Sequence, residues 1–337
     1  MTASVQALAV ALGDPAGVGP ELIAAAWAAR EEAGLAPFFA VGGVTALAEA
    51  AVLRGLDVGV EAIGHPDEAA AVFGRALPVL GAIDAAYHPG APDDAGAHCA
   101  FASLRQATEI VRLGAASALV TAPVAKSALA VAGFAFPGQT EFLASACGRP
   151  DEDAVMMLAG PSLKAVPLTV HCPLAEVSQI LSQALIERRA RIVHDALRRD
   201  FAIAHPRIAV AGLNPHAGES GRFGSEEIEI IVPAVAALQA QGYDVVGPIP
   251  GDALFTPRTR ATYDAALAMY HDQALIPLKT LDFDEGVNIT LGLPIVRTSP
   301  DHGTAFDIAG RRLAHPGAMI AAIRTASEMA ARRAAHG

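Results

Sequence analysis

Short apolar runs, each stopped by glycine, proline or a polar residue and followed by a helical pattern, recur along the chain. Ala7–Leu12 is apolar and is stopped by Gly13, Asp14 and Pro15, as expected of a buried strand that runs into a loop. Pro20 is placed to open a helix at its first turn and Gly34 to close it. Pro37–Val41 and Ala118–Thr121 repeat the plan, as do Lys164–Val170, Arg207–Leu213 and Ala265–Tyr270. Strands alternating with helices predict βαβ units and a mostly parallel sheet. In Leu174–Leu197, residues Val177, Ile180, Leu181, Leu185, Ile192 and Val193 fall near helical spacing, which predicts one long amphipathic helix. Its arginines (Arg188, Arg189, Arg191, Arg198, Arg199) read as a solvated face. Met319–Ala335 predicts a terminal helix. No repeat, low-complexity linker or charge block interrupts the pattern.

A length of 337 residues predicts two lobes. With 53% hydrophobic and 18% charged residues, the chain can fill a core and is not of disordered composition. The net charge of −11 argues against nucleic-acid binding, which needs a basic face. It leaves an anionic substrate open, because a few cations in a cleft set the local field. The three cysteines, Cys99, Cys147 and Cys172, form no CxxC motif and suit a reducing cytoplasm. The opening residues MTASVQALAVALGDP carry no basic segment, so no signal peptide is expected. Charges interrupt every alanine-rich run before the ~18 residues that a membrane span needs.

Chemistry concentrates in Ala268–Gly310, where His271, His302, several acids, Lys279, Asn288 and Arg297 alternate with apolar runs. Such groups are seldom buried unless paired, so a polar cleft is expected there. Three histidines, His171, His216 and His271, each lie at or just beyond the end of an apolar strand, where parallel α/β sheets bind ligands. Three imidazoles with open positions suit a divalent ion such as Zn, Co, Ni or Mn. Lys279 and Arg297 flank Asn288 and could hold a phosphate; a salt-bridge network with Asp282, Asp284 and Glu285 is the alternative. Asp252 and Asp272 could orient a metal ligand or move a proton, or, for Asp252, simply cap a loop. The GDPAGVGP loop at 13–20 lies between a strand and a helix start, a place for anions, though it lacks the full GxGxxG pattern.

Several motifs resemble the PdxA family of 4-hydroxythreonine-4-phosphate dehydrogenases. They are NITLGLPIVR at 288–297, MYHDQ at 269–273, GDPAGVGPE at 13–21, TAPVAKSAL at 121–129, FPGQTEFLA at 136–144 and GLNPHAGESGRFGSEE at 212–227. HGTAFDIAG at 302–310 is similar to the HGSAPDIAG segment of isocitrate and isopropylmalate dehydrogenases. The resemblance implies a two-lobed α/β/α sandwich of that type, with a mostly parallel sheet and an interlobe cleft. Residues 1–125 with 286–337 would form the cofactor-side lobe, and 126–285 the substrate, metal and dimerisation lobe.

The resemblance also implies an NAD- (or NADP-) dependent cytoplasmic enzyme of pyridoxal phosphate synthesis. It would oxidise 4-phosphooxy-L-threonine to a β-keto acid that loses CO2. One divalent metal (Zn, Co, Mg or Mn) would sit on His171, His216 and His271, drawn from both subunits of a homodimer. Gln139, Thr140, Lys279, Asn288 and Arg297 would bind the phosphorylated substrate, with Asp252, Asp272 and Lys279 as catalytic candidates. His302, Gly303, Thr304, Ala305 and Asp307 would bind the cofactor. At 139 the family usually has histidine; glutamine can donate a hydrogen bond but cannot be charged. That departure keeps phosphorylated tetronates and cis-dihydrodiol carboxylates open as substrates. A metal- and anion-binding protein without redox activity is the reading from another class.

Overall fold

The computed structural model describes residues 6–336. Residues up to Asp151, together with Leu293–Ala334, form one unit, and Glu152–Gly292 form a second. Following the chain, the first unit holds strands β1 (Leu8–Ala11), β2 (Phe38–Val41), β3 (Val60–Ile63), β4 (Leu77–Leu80) and β5 (Leu119–Thr121). The second holds β6 (Val155–Ala159), β7 (Lys164–Thr169), β8 (Arg207–Ala211), β9 (Asp244–Ile249), β10 (Ala265–Tyr270) and β11 (Val287–Leu291). The chain then returns to the first unit with β12 (Arg297–Pro300).

In the first unit the strand order is β3-β4-β2-β1-β5-β12, and every pairing is parallel. In the second it is β11-β6-β7-β10-β8-β9. There β6 runs against both neighbours while the remaining pairs are parallel. Helices cover these strands, so β1, β2, β5, β8 and β10 are buried along almost their whole length. That double burial is why they read as continuous apolar runs and not as alternating ones. Leu22, Ile23, Phe38, Phe39 and Leu47 fill the first core. Leu158, Leu254, Ala266, Ala268 and Leu278 belong to the second.

The first helix, Gly19–Ala28, carries Pro20 in its first turn as expected, but it ends at Ala28. Gly34 instead takes a left-handed φ of 61° in the turn that follows. The long helix expected over 174–197 is broken. Val177–Ile180 forms a single turn, and Leu181 is extended with ψ 135°. A new helix then runs over Gln183–Phe201. Ser182 is the cause: its hydroxyl accepts the Leu185 N–H at 3.2 Å, a helix start that competes with continuation. Leu181 stays buried, as do Ile186, Ala190 and Val193, so the apolar pattern survives the break and hides it. The terminal helix spans Gly317–His336. Among the described residues no helix is long and apolar enough to cross a membrane.

Candidate active site

In the second unit β10 pairs with β7 on one side and β8 on the other, all parallel. Their carboxyl ends therefore share one edge. His171 lies two residues past β7, His216 five past β8, and His271 immediately after β10. The three strand ends bearing histidines are thus adjacent in the sheet. Asp252 joins the same edge, in the short Gly251–Leu254 helix that follows β9, the parallel neighbour of β8. Gln273 ties the edge together: its side chain accepts the Met269 N–H at 2.6 Å and donates to the Gly212 carbonyl at 2.8 Å.

His171 and His271 face each other, with ring centroids 5.8 Å apart. Asp272 lies 2.7 Å from His271 Nδ1, a partner of the kind that favours the proton on Nδ1 and the lone pair on Nε2. His171 has φ 36° and His216 φ 55°, a region unfavourable for bulky residues and concentrated at functional sites. Two such imidazoles, one with a carboxylate behind it, suit a divalent transition ion as ligands. His216 lies against the Phe223 ring at 6.2 Å. Among the described residues no three His, Cys, Asp or Glu side chains form a group able to hold a metal ion.

Lys279 and Asn288 do not join this edge. Asn288 pairs with Leu158, and Leu158 with Ala165 near the start of β7. Four further residues lead to the end of β7, about 13 Å at ~3.3 Å per residue, before His171 is reached. Lys279 is in the last turn of the His271–Leu281 helix, two helical turns away from His271. The Asn288 amide donates only to the Met156 sulfur, at 3.6 Å, and its Oδ1 is buried without a hydrogen-bond partner. A buried amide left so is uncommon and marks a position that a ligand could complete.

In the first unit three motifs meet at the carboxyl ends of β1, β5 and β12. The Asp14 N–H donates to the Pro123 carbonyl at 2.9 Å, and the Val18 N–H to the Thr304 carbonyl at 3.0 Å. Gly17 must be glycine here, because a Cβ would lie 2.9 Å from that same carbonyl. Glu21, 1% exposed, accepts from Arg54 (2.9 Å), the Tyr87 hydroxyl (3.4 Å) and the Gly310 N–H (3.1 Å). The segment expected to bind cofactor, His302, Gly303, Thr304, Ala305 and Asp307, is thereby held at Thr304 and, three residues past Asp307, at Gly310. Ala305 turns it with φ 46°.

Asp14 sits in this junction, 1% exposed. Burial pushes its carboxyl above the ordinary range and Asp93 adds to that, against the Ala16 and Ala125 N–H groups. The folded chain thus prefers the protonated acid, so its stability falls as pH rises from the ordinary value of 3.8 through the raised one. Asp14→Asn, which stays neutral, should gain in melting temperature relative to the parent across that window. Parallel pH profiles for the two proteins would contradict this.

Arg297 opens β12 and is 4% exposed. It donates to Thr121 Oγ1 at 2.7 Å and to Gln139 Oε1 at 3.1 Å, and burial pulls its guanidinium down to about 10. Gln139 and Thr140 are the first residues of the Gln139–Ala146 helix, which has no side-chain cap. A cation beside uncapped N–H groups at a helix start forms an anion cradle. Phe142 of the same helix packs with Phe134 and Phe136, ring centroids 5.4–5.7 Å apart. Sequence reasoning missed Thr121, Gln273 and Glu21 in these roles, although each lies inside a motif already singled out: TAPVAKSAL, MYHDQ and GDPAGVGPE.

The model of the pyridoxal phosphate biosynthetic protein PdxA family matches residues 35–326. This chain belongs to the PdxA family. It is 61% identical over 327 residues to a 4-hydroxythreonine-4-phosphate dehydrogenase of Erythrobacter litoralis, covering 97% of each chain. A solved Klebsiella pneumoniae structure of the same name matches with a TM-score of 0.84 and 41% identity, over 96% of this chain and 99% of that one. A Burkholderia xenovorans terephthalate 1,2-cis-dihydrodiol dehydrogenase matches with a TM-score of 0.63 and 30% identity, over 96% and 98%.

Proposed function

We propose that this PdxA-family chain is an NAD-dependent, metal-dependent dehydrogenase. It oxidises the C3 secondary alcohol of 4-phosphooxy-L-threonine to a ketone, and the resulting β-keto acid loses CO2 to give 3-amino-2-oxopropyl phosphate. The observation that carries the reading is the histidine edge of the second unit, three adjacent parallel strands each ending near a histidine. When bound, the divalent metal would supply Lewis-acid polarisation of the alcohol and the nicotinamide would accept hydride. His171, His216 and His271 would hold the metal, and Asp272 would keep His271 in its ligating tautomer. Arg297, Gln139 and Thr140 would orient the phosphate, with Lys279 and Asn288 as further anchors. Asp252, Asp272 and Lys279 are the candidates to hold the departing proton. His302–Asp307 would bind the cofactor, NAD or NADP.

A shared site would account for two features of the described residues: the histidines form no three-ligand group, and Asn288 lies far from His171 along the sheet. Both are resolved if a homodimer draws each site from two copies. The second unit exposes the large apolar side chains Phe223, Ile228, Val232, Ile276, Leu281 and Phe283, residues that a second copy could cover. We place this enzyme in the cytoplasm, where its small phosphorylated substrate would be made.

Gln139 bears on substrate choice. Its Oε1 accepts from Arg297, so its amide N–H groups are what it offers a substrate oxygen. A hydrogen bond to a charged group is worth roughly 1.5–3 kcal/mol, so Gln139→Ala should raise KM by about ten-fold or more. An unchanged KM would leave Gln139 a support for Arg297 alone. NADH formation with 4-phosphooxy-L-threonine, 4-phospho-D-erythronate and a cis-dihydrodiol carboxylate tests the whole reading. Turnover of the dihydrodiol alone would favour the reading that the Burkholderia neighbour offers, and no turnover at all would overturn the dehydrogenase.

A further inference from the structure

The motif at 212–227 contains more than a histidine. Residues His216 to Ser220 all lie in the left-handed region, with φ values of 55°, 51°, 76°, 41° and 60°. Four of the five are not glycine, and each of those is unfavourable there on its own. Backbone contacts close the turn: Ala217 N–H to the Asn214 carbonyl at 3.1 Å and Phe223 N–H to the Gly218 carbonyl at 3.2 Å. These do not explain why it winds left-handed.

Glu227 does. It is 2% exposed. One carboxylate oxygen accepts the Asn214 N–H at 2.7 Å and the other the Asn214 side-chain amide at 3.0 Å. Glu226 accepts from the same amide at 2.8 Å. A Cβ on Gly218 would lie 2.6 Å from the Glu227 carboxylate, and one on Gly212 3.3 Å from it, so the carboxylate sits inside the turn between residues 212, 214 and 218. Glu227 also begins the π-helix Glu227–Ile231, an element that is rare and often found at functional sites. A buried carboxylate whose hydrogen bonds go to one asparagine specifies that asparagine's conformation, and Asn214 leads directly into His216.

We propose that Glu227, acting through Asn214, is a positioning residue for His216: it holds the left-handed turn that presents this histidine at the sheet edge. The proposal rests on the reading of His216 as a metal ligand. Cobalt(II) alone, titrated calorimetrically into metal-free protein, is the probe. Glu227→Ala should weaken cobalt binding by about ten- to a hundred-fold, the range for groups that orient ligands. Glu227→Gln, which keeps one acceptor for the Asn214 N–H, should lose less, and it carries the comparison if the alanine variant does not fold. Adding Ala217→Gly and Ser220→Gly to either variant should restore part of the affinity, because glycine takes positive φ at no steric cost. Parent-like affinity in the Glu227 variants, with binding lost in His216→Ala, would overturn the positioning role alone. So would a glycine pair that restores the melting temperature but not the affinity. Parent-like affinity in His216→Ala would overturn the ligand reading and the positioning role together.

Discussion

His271→Ala should leave the folded protein nearly without bound metal and lower kcat/KM by about a thousand-fold or more. The Lewis-acid contribution of a metal is several kcal/mol, and each ~1.36 kcal/mol is a factor of ten in rate. His271 stands 5.8 Å from His171, ring to ring, so each member of the pair is needed and His171→Ala should match it. Asp272→Asn is the informative contrast. Asp272 is 2.7 Å from His271 Nδ1 and would act on the metal only through that ring. Loss of such a partner costs roughly ten- to a hundred-fold in affinity or activity, so Asp272→Asn should fall between the parent and His271→Ala. Both histidines lie just past their strands, His171 exposed and His271 half-buried, and melting temperatures should change little. Elemental analysis checks the metal and steady-state kinetics the rate. Full occupancy in His171→Ala and His271→Ala would remove these two residues from the site.

Arg297→Met should lower kcat/KM by about 10²- to 10⁴-fold without destabilising the substrate-free protein. Two charge-assisted hydrogen bonds to a phosphate, at roughly 1.5–3 kcal/mol each, give that range. The stability half of the expectation comes from burial. The guanidinium is 4% exposed, and burial pulls it down to about 10, so its charge is held at a cost that an apolar side chain of similar length avoids. Removing it leaves Thr121 Oγ1 and Gln139 Oε1 without their donor, which opposes the gain. Inorganic phosphate should raise the parent's melting temperature by preferential binding to the folded state and leave the methionine variant's unchanged. A collapsed melting temperature with normal activity in the folded fraction would make Arg297 a structural residue. Arg297→Lys should recover little, because an ammonium lacks the planar fork.

What the sequence by itself determined is local. Strands such as Ala265–Tyr270 and Lys164–Val170 were legible because burial on both faces leaves continuous apolar runs, and the histidines were legible because they interrupt those runs at their ends. The motifs placed the chain in its family for the same reason: each is a short contiguous stretch whose chemistry needs no partner to be read. Tertiary structure decided what depends on distant pairing. The order β7-β10-β8 sets three strand ends side by side, although they lie far apart in the chain, and strand order follows from how the whole core closes. Arg297 meets Thr121 and Gln139 across 176 and 158 residues, a contact no local pattern encodes. The same holds for the register that carries Asn288 to the far end of β7 from His171. Two local features also escaped. Ser182 breaks a helix whose apolar spacing continues past it, because one side-chain hydrogen bond outweighs the periodicity there. The left-handed turn at His216–Ser220 runs against the preference of four of its own residues, and its interior is filled by Glu227, folded back from the next element.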